Sequence, residues 1–275
     1  MNNSIWSRFS NSVCTIDFFN KRGVRFYRLT GFSYDDFIIS ASCRREIRRS
    51  GYVTISFGFS NGSKDQSVTR LSVDQFEKSC FQGQLAGLPG LIFIKVSSGE
   101  MNRMQPVSCS GIPAPETGSW VAIITSVPDR GQLCIKTGFI SAIIVIKGRN
   151  FMLVDSSVEQ SSRGAPMFDL ATGGFTGVLT GSMSRGAEKY KKLKQIISHN
   201  IRLLNDSTGK WTVGNIDPAQ VLAANQYMIK YLARDLYLSG GRDTLLALPA
   251  EDISRLVKGM KMNGLYAGQK YFTCQ

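Results

Sequence analysis

Between Val13 and Leu179 the apolar residues come in short runs broken by glycine, asparagine, serine and proline, which predicts strands rather than helices through the first two thirds of the chain. Runs at 13–18, 24–29, 37–41, 52–57 and 91–96 make a first group, with hairpin turns at Asn20-Lys21-Arg22-Gly23 and Ser60-Asn61-Gly62-Ser63. Segment 110–118 has the proline and glycine content of a linker. A second group extends from Trp120 to Leu179, with Lys210-Trp211-Thr212-Val213 as its expected closing strand. The period then changes. Asp217-Pro218 is a helix start, a capping carboxylate before a proline whose missing N–H costs nothing in the first turn. The helix continues through Val221, Leu222, Ala224, Met228, Ile229 and Leu232 to Ser239-Gly240-Gly241, and its stripe is expected to pack against the strands. A further helix over 249–262 carries Ile253, Leu256, Val257 and Met260 on one side and stops at Asn263-Gly264. There is no low-complexity tract.

The chain has 275 residues, 43% of them hydrophobic, enough to bury a substantial core. No run is long and apolar enough to span a membrane, and residues 1–8 lack the basic start and apolar stretch of a secretory signal, so a cytoplasmic location is expected. The cysteines, Cys14, Cys43, Cys80, Cys109, Cys134 and Cys274, show no metal-ligand spacing, which predicts reduced thiols and neither metal nor cofactor. Basic residues outnumber acidic ones by 33 to 20, a net charge of +13 that favours nucleic acid, anionic membrane or acidic protein partners.

Candidate chemistry centres on Ser161-Ser162-Arg163-Gly164-Ala165-Pro166-Met167-Phe168. This stretch resembles the nucleophile loop of trypsin-like serine proteases, Gly-x-Ser-Gly-x-Pro before an apolar strand, with Arg163 in the place of the serine and Ser161 in the place of the first glycine. Phe37-Ile38-Ile39-Ser40-Ala41-Ser42-Cys43 resembles the strand that ends in that family's histidine, with Ser42 in its place. Gly90, before Leu91-Ile92-Phe93-Ile94, takes the place of the orienting aspartate. The segments Gly118 to Ile124, Lys136 to Ala142 and Met152 to Asp155 resemble the HtrA-type branch.

The resemblance implies a mainly β fold of two six-stranded antiparallel β-barrels with C-terminal α-helices. The implied division is 1–110 for the first barrel, 111–216 for the second with a basic insertion at 184–209, and 217–275 as a helical extension. The helix after Asp217 is then the closing helix of the fold, and the 249–262 helix, which the family does not require, is a candidate docking or oligomerisation arm for a protein partner. Cys43 lacks the disulfide partner that extracellular relatives provide near Thr30-Gly31, and Glu159 stands at one place of the bridge that flanks the loop. With all three triad places substituted, the resemblance implies a pseudoprotease. The single histidine, His199, follows the loop and reads as a half-exposed residue on a helix or hairpin.

Arg163 is expected to point into solvent or to find a carboxylate or phosphate, since a guanidinium is costly to bury unpaired. Arg44, Arg45, Arg48 and Arg49 follow the histidine place and are expected at the rim of the same cleft. A second cluster, Arg185, Lys189, Lys191, Lys192, Lys194 and Arg202, lies in the insertion, with Tyr190, Leu193, Ile196 and Ile197 interleaved. The expected function is a binding or structural module acting on RNA or another polyanion through Arg163 and these clusters. Two alternatives stand beside it: an active serine protease using Ser162, and a viral protein–protein, capsid or movement component without nucleic-acid binding.

Overall fold

The computed structural model describes residues 2–57, 67–84, 90–95, 106–108, 116–127, 132–157, 160–183, 187–210, 212–239, 244–262 and 271–273. The turn at 60–63, most of the 110–118 linker, Glu159, Arg185, Cys109, Cys274, Gly240-Gly241 and Asn263-Gly264 lie outside the described residues. The chain divides into two compact units, 1–182 with 244–275, and 183–243.

The first unit holds two sheets. One contains β1 (Val13–Phe19), β2 (Arg25–Tyr34), β3 (Phe37–Ala41), β4 (Tyr52–Phe57), β5 (Ser67–Ser72), β6 (Cys80–Gln84), β7 (Leu91–Lys95) and β14 (Tyr271–Thr273), in the order β14-β6-β7-β3-β2-β1-β4-β5. Among the ladders of the described residues in this sheet only β14 pairs in parallel, against β6, and it adds an edge to the expected set of strands. The other sheet closes into a six-stranded barrel of β8 (Trp120–Ser126), β9 (Leu133–Ile146), β10 (Arg149–Ser156), β11 (Pro166–Asp169), β12 (Phe175–Met183) and β13 (Thr244–Pro249), in the order β10-β13-β12-β11-β8-β9. The mainly β architecture, with one closed barrel, a second curled sheet and C-terminal helices, is therefore as the resemblance implies.

Alternation explains how the sheets pack. On β1, Cys14, Ile16 and Phe18 fill the core of the first sheet with Leu29, Ile38, Val53, Ile55 and Phe76. The opposite face carries Val13, Thr15 and Asp17, and these too are buried, so the polar positions do not meet water. A larger cluster draws Phe32, Tyr34 and Phe93 from the first sheet together with Ile124, Phe151, Phe168 and Phe175 from the barrel, and Phe9 of the first helix (Asn2–Phe9) stacks on Phe168 at 4.2 Å.

Two expectations about the C-terminal part change places. The barrel is closed by β13, whereas Val213 makes only an isolated bridge to Ile216 in the turn between two helices, so 210–213 is not the closing strand. The helix Ala250–Met262 buries Ile253, Leu256, Val257 and Met260 in the larger core, and Lys261 reaches the β2–β3 turn through Asp35 at 2.5 Å and Asp36 at 3.4 Å. The stripe expected to dock a partner is used inside the fold, and this helix takes the closing role expected of its predecessor.

The second unit is a helical hairpin, Ala187–Ser207 and Pro218–Ser239. Asp217 caps the second helix: its carboxylate accepts from the N–H groups of Gly209 at 2.7 Å, Ala219 at 2.9 Å and Gln220 at 3.3 Å. These bonds hold its carboxyl below the usual aspartate range, the Gly209 bond contributing most. The second helix packs on the first through buried Ala219 and Ala223, while Val221, Leu222, Met228, Ile229 and Leu232 are exposed rather than laid against strands.

Candidate functional site

Ser42, Gly90 and Arg163 come together. The Ser42 N–H donates to the Gly90 carbonyl at 2.8 Å, and Arg163 Nη2 donates to the Ser42 carbonyl at 3.2 Å. Arg163 Nη1 donates to the Tyr27 hydroxyl at 3.1 Å, while Nε is buried without a hydrogen-bond partner. The guanidinium is half-buried against two neutral oxygens, and among the described residues no carboxylate pairs with it. Burial pushes the Tyr27 phenol up, and the Arg163 charge partly offsets this.

The loop is seated by its backbone. A single 3-10 turn, Gln160–Ser162, leads into Arg163, whose carbonyl accepts from the Thr30 N–H at 3.1 Å. Gly164 follows at φ +87°, its N–H donating to the Leu179 carbonyl at 2.7 Å. A side chain on Gly164 would fall on the Thr30 carbonyl oxygen and Ser40 Oγ. Glycine is therefore required twice, for its conformation and for close approach.

Beneath the loop lies a seam of buried hydroxyls that the sequence reading missed. Thr30 Oγ1 donates to the Ser161 carbonyl at 2.9 Å and lies 3.2 Å from Thr125 Oγ1 and 3.1 Å from Ser126 Oγ. Thr125 Oγ1 donates to Ser162 Oγ at 2.8 Å, and Ser161 Oγ donates to the Ser126 carbonyl at 3.1 Å. Ser162 is only 2% exposed. Beside the seam, Asp17 and Arg28 form a bidentate buried pair, Nε to Oδ1 at 2.6 Å and Nη2 to Oδ2 at 2.7 Å, and Arg28 Nη1 also donates to the Val127 carbonyl at 3.1 Å. The sequence held a signal for this pair: opposite charges in two consecutive apolar runs, which the hairpin register sets directly opposite.

The arginine run forms a one-turn helix, Arg44–Arg49, directly after Ser42 and Cys43. Ile47 points into the core, while Arg44, Arg45, Arg48 and Arg49 are exposed, and the Arg49 guanidinium lies 5.7 Å from the centre of the Phe26 ring. Since Arg163 binds the carbonyl of Ser42, this run lies close to Arg163. Cys43 is fully buried, and desolvation pushes its thiol well up.

The second basic cluster lies in the helical unit. Lys189, Lys191, Lys192, Lys194 and Arg202 are exposed on Ala187–Ser207, where Lys191, Lys194, His199 and Arg202 line an open concavity of about 490 Å³. His199 is exposed on that helix, its Nδ1 3.3 Å from Arg202 Nη2. Among the described residues no group of three or more His, Cys, Asp or Glu side chains could hold a metal ion, and no helix is long and apolar enough to cross a membrane.

No family model matches the chain, and no curated protein does. Solved structures similar to it include Deg5, at 16% identity and a TM-score of 0.45, covering 65% of this chain and 83% of that one. A serine endoprotease from Yersinia pestis is similar at 17% identity and a TM-score of 0.48; the likeness takes in 66% of this chain and 58% of that structure. The active form of the Rv3671c protease from M. tuberculosis is similar at 21% identity and a TM-score of 0.46, over 66% of this chain and 75% of its own.

Proposed function

We propose that this chain is a pseudoprotease of trypsin-like architecture that binds a polyanion, RNA foremost, at the rim of the former catalytic cleft. One observation supports the reading: Ser42, Gly90 and Arg163, which by resemblance take the places of a histidine, an aspartate and a serine, lie in contact, and none of the three can act as a general base. A guanidinium stays protonated, and here it fills the place of the attacking oxygen. Ser162, which precedes it in the chain, is buried and accepts a hydrogen bond from Thr125, which favours a structural role over a displaced nucleophile.

The polyanion half of the proposal rests on charge. Four exposed arginines on one short helix adjoin a fifth, half-buried guanidinium, in a chain of net charge +13. Such a cluster neutralises phosphates without reading sequence, so binding is expected to weaken steeply with salt. Lys189, Lys191, Lys192, Lys194 and Arg202 provide a second phosphate-binding face on the helical hairpin.

The test has two arms. In fluorescence anisotropy with labelled single-stranded RNA, the chain is expected to bind at low salt and to lose most of its affinity when Arg44, Arg45, Arg48 and Arg49 become alanine. No binding at low salt, or binding indifferent to those substitutions, removes the basic-rim reading and leaves a protein–protein role. In the second arm, a fluorophosphonate probe is expected to leave the chain unlabelled; labelling abolished by Ser162→Ala would make it an enzyme.

A further inference from the structure

Among its described side chains, the Pro218–Ser239 helix buries only Ala219 and Ala223. Buried Ala219 and Ala223, then half-buried Gln226, Lys230 and Ala233, follow one another at spacings of three and four on the side turned to the Ala187–Ser207 helix. Its large apolar residues lie elsewhere: Val221, Leu222, Met228, Ile229, Leu232 and Leu236 are between 45 and 70% exposed. Leu222, Ile229 and Leu236 recur every seven residues, and Leu232 follows Ile229 by three, which is the spacing of a coiled-coil seam. The seam runs roughly 21 Å along the helix at about 1.5 Å per residue. Asn225 occupies the remaining seam position, where a single polar residue fixes register in paired helices.

We infer that this seam is a self-association interface, in which the Pro218–Ser239 helices of two copies pair and bring the hairpins together as a four-helix assembly. The area supports a second copy. Burying an apolar side chain of this size removes about 60–100 Å² from water. Six of them contribute about 500 Å² per partner, about 1,000 Å² over the two copies, which reaches the lower bound of a specific interface.

A lipid surface fits less well, because a helix lying in a membrane interface presents a wide apolar face bordered by its own lysines and arginines. Here the helix carries only Lys230 and Arg234, the stripe ends beside Asp235, and the lysine cluster belongs to the other helix. The inference is independent of the polyanion reading, since the seam contains none of the residues assigned to it.

Sedimentation velocity with multi-angle light scattering tests it. The full chain is expected at twice 30.3 kDa when concentrated, returning toward 30.3 kDa on dilution. Ile229→Glu with Leu232→Glu is expected to give a 30.3 kDa species throughout with an unchanged far-ultraviolet circular dichroism spectrum, whereas Val145→Glu, an exposed barrel position, leaves the dimer intact. Should the glutamate pair unfold the hairpin, Leu222→Ser with Leu236→Ser is expected to weaken the dimer with the helix retained. A wild-type chain that stays monomeric at every concentration overturns the inference, as does a dimer indifferent to both folded pairs. A monomer that pelts down with phosphatidylserine vesicles through these same residues overturns it in favour of lipid.

Discussion

Replacing Gly164 by alanine tests how the loop at the centre of the site is held. The residue sits at φ +87°, where a side chain costs about 1–2 kcal/mol in backbone strain alone. Its added Cβ would also meet the Thr30 carbonyl oxygen and Ser40 Oγ, and would lie 2.8 Å from the Ala41 nitrogen. These atoms cannot simply retreat, because the Thr30 carbonyl accepts from Ser40 Oγ at 2.7 Å and the Thr30 N–H holds the Arg163 carbonyl at 3.1 Å. Overpacking adds about 1–3 kcal/mol, and each hydrogen bond broken to relieve it adds about 1 kcal/mol. The total is about 4 kcal/mol or more. Gly148 provides the control: it has φ +77°, but nothing lies within 4 Å of its added Cβ, so Gly148→Ala should cost the strain alone, about 1–2 kcal/mol. At about 2–4 °C per kcal/mol, thermal unfolding followed by near-ultraviolet circular dichroism should separate a loss above about 8 °C from one near 4 °C. Equal losses at the two positions would refute the seating of the loop between β2, β3 and β12.

Asp17→Ala leaves the buried Arg28 guanidinium without its carboxylate and is expected to cost about 3–5 kcal/mol in urea unfolding, whereas Asp17→Leu combined with Arg28→Met should recover most of that loss. A single-variant loss under about 1 kcal/mol would mean that the pair does not hold the seam. The lowered carboxyl of Asp217 makes a contribution to the hairpin that is present above the usual aspartate value of 3.8 and is lost as pH falls through the lower folded value. Asp217→Asn keeps an acceptor at the cap but removes this acid dependence, so far-ultraviolet spectra of the two proteins should diverge at neutral pH and converge on acidification; a constant difference across the titration would rule the linkage out.

The sequence was most legible where local pattern and tertiary environment agree. The runs at 37–41 and 52–57 are β3 and β4 without change of bounds, and the loop from Ser161 to Pro166 turns beside Ser42 as its frame required. It was least legible where one pattern serves two ends. The stripes of Pro218–Ser239 and Ala250–Met262 read alike, yet the first helix buries alanines while the second buries Ile253, Leu256, Val257 and Met260, because periodicity reports that a face is apolar and not what covers it. The segment 210–213 resembled a strand from its tryptophan, threonine and valine, but Gly209 and Gly214 adopt positive φ on either side and bend it into the connection between helices. The strand that does close the barrel lies immediately before a helix, where its proline looked like a helix start. The hydroxyl seam escaped notice because Thr30 beside Leu29 and the consecutive Thr125-Ser126 at a strand end read as solvent-facing, and only the packing of two sheets buries them.

The chemistry of Arg163 follows from that packing. A guanidinium taken partly out of water normally recovers its solvation from a carboxylate, and here it meets a phenol and a carbonyl, with Nε left unsatisfied. Two neutral acceptors return only part of the lost hydration, so the residue stabilises the fold weakly if at all. Its charge is placed beside four more arginines on a single turn of helix, where like charges raise one another's potential. An arrangement that is indifferent or costly to folding fits the anion site proposed above, where a phosphate would supply the attraction withheld within the chain.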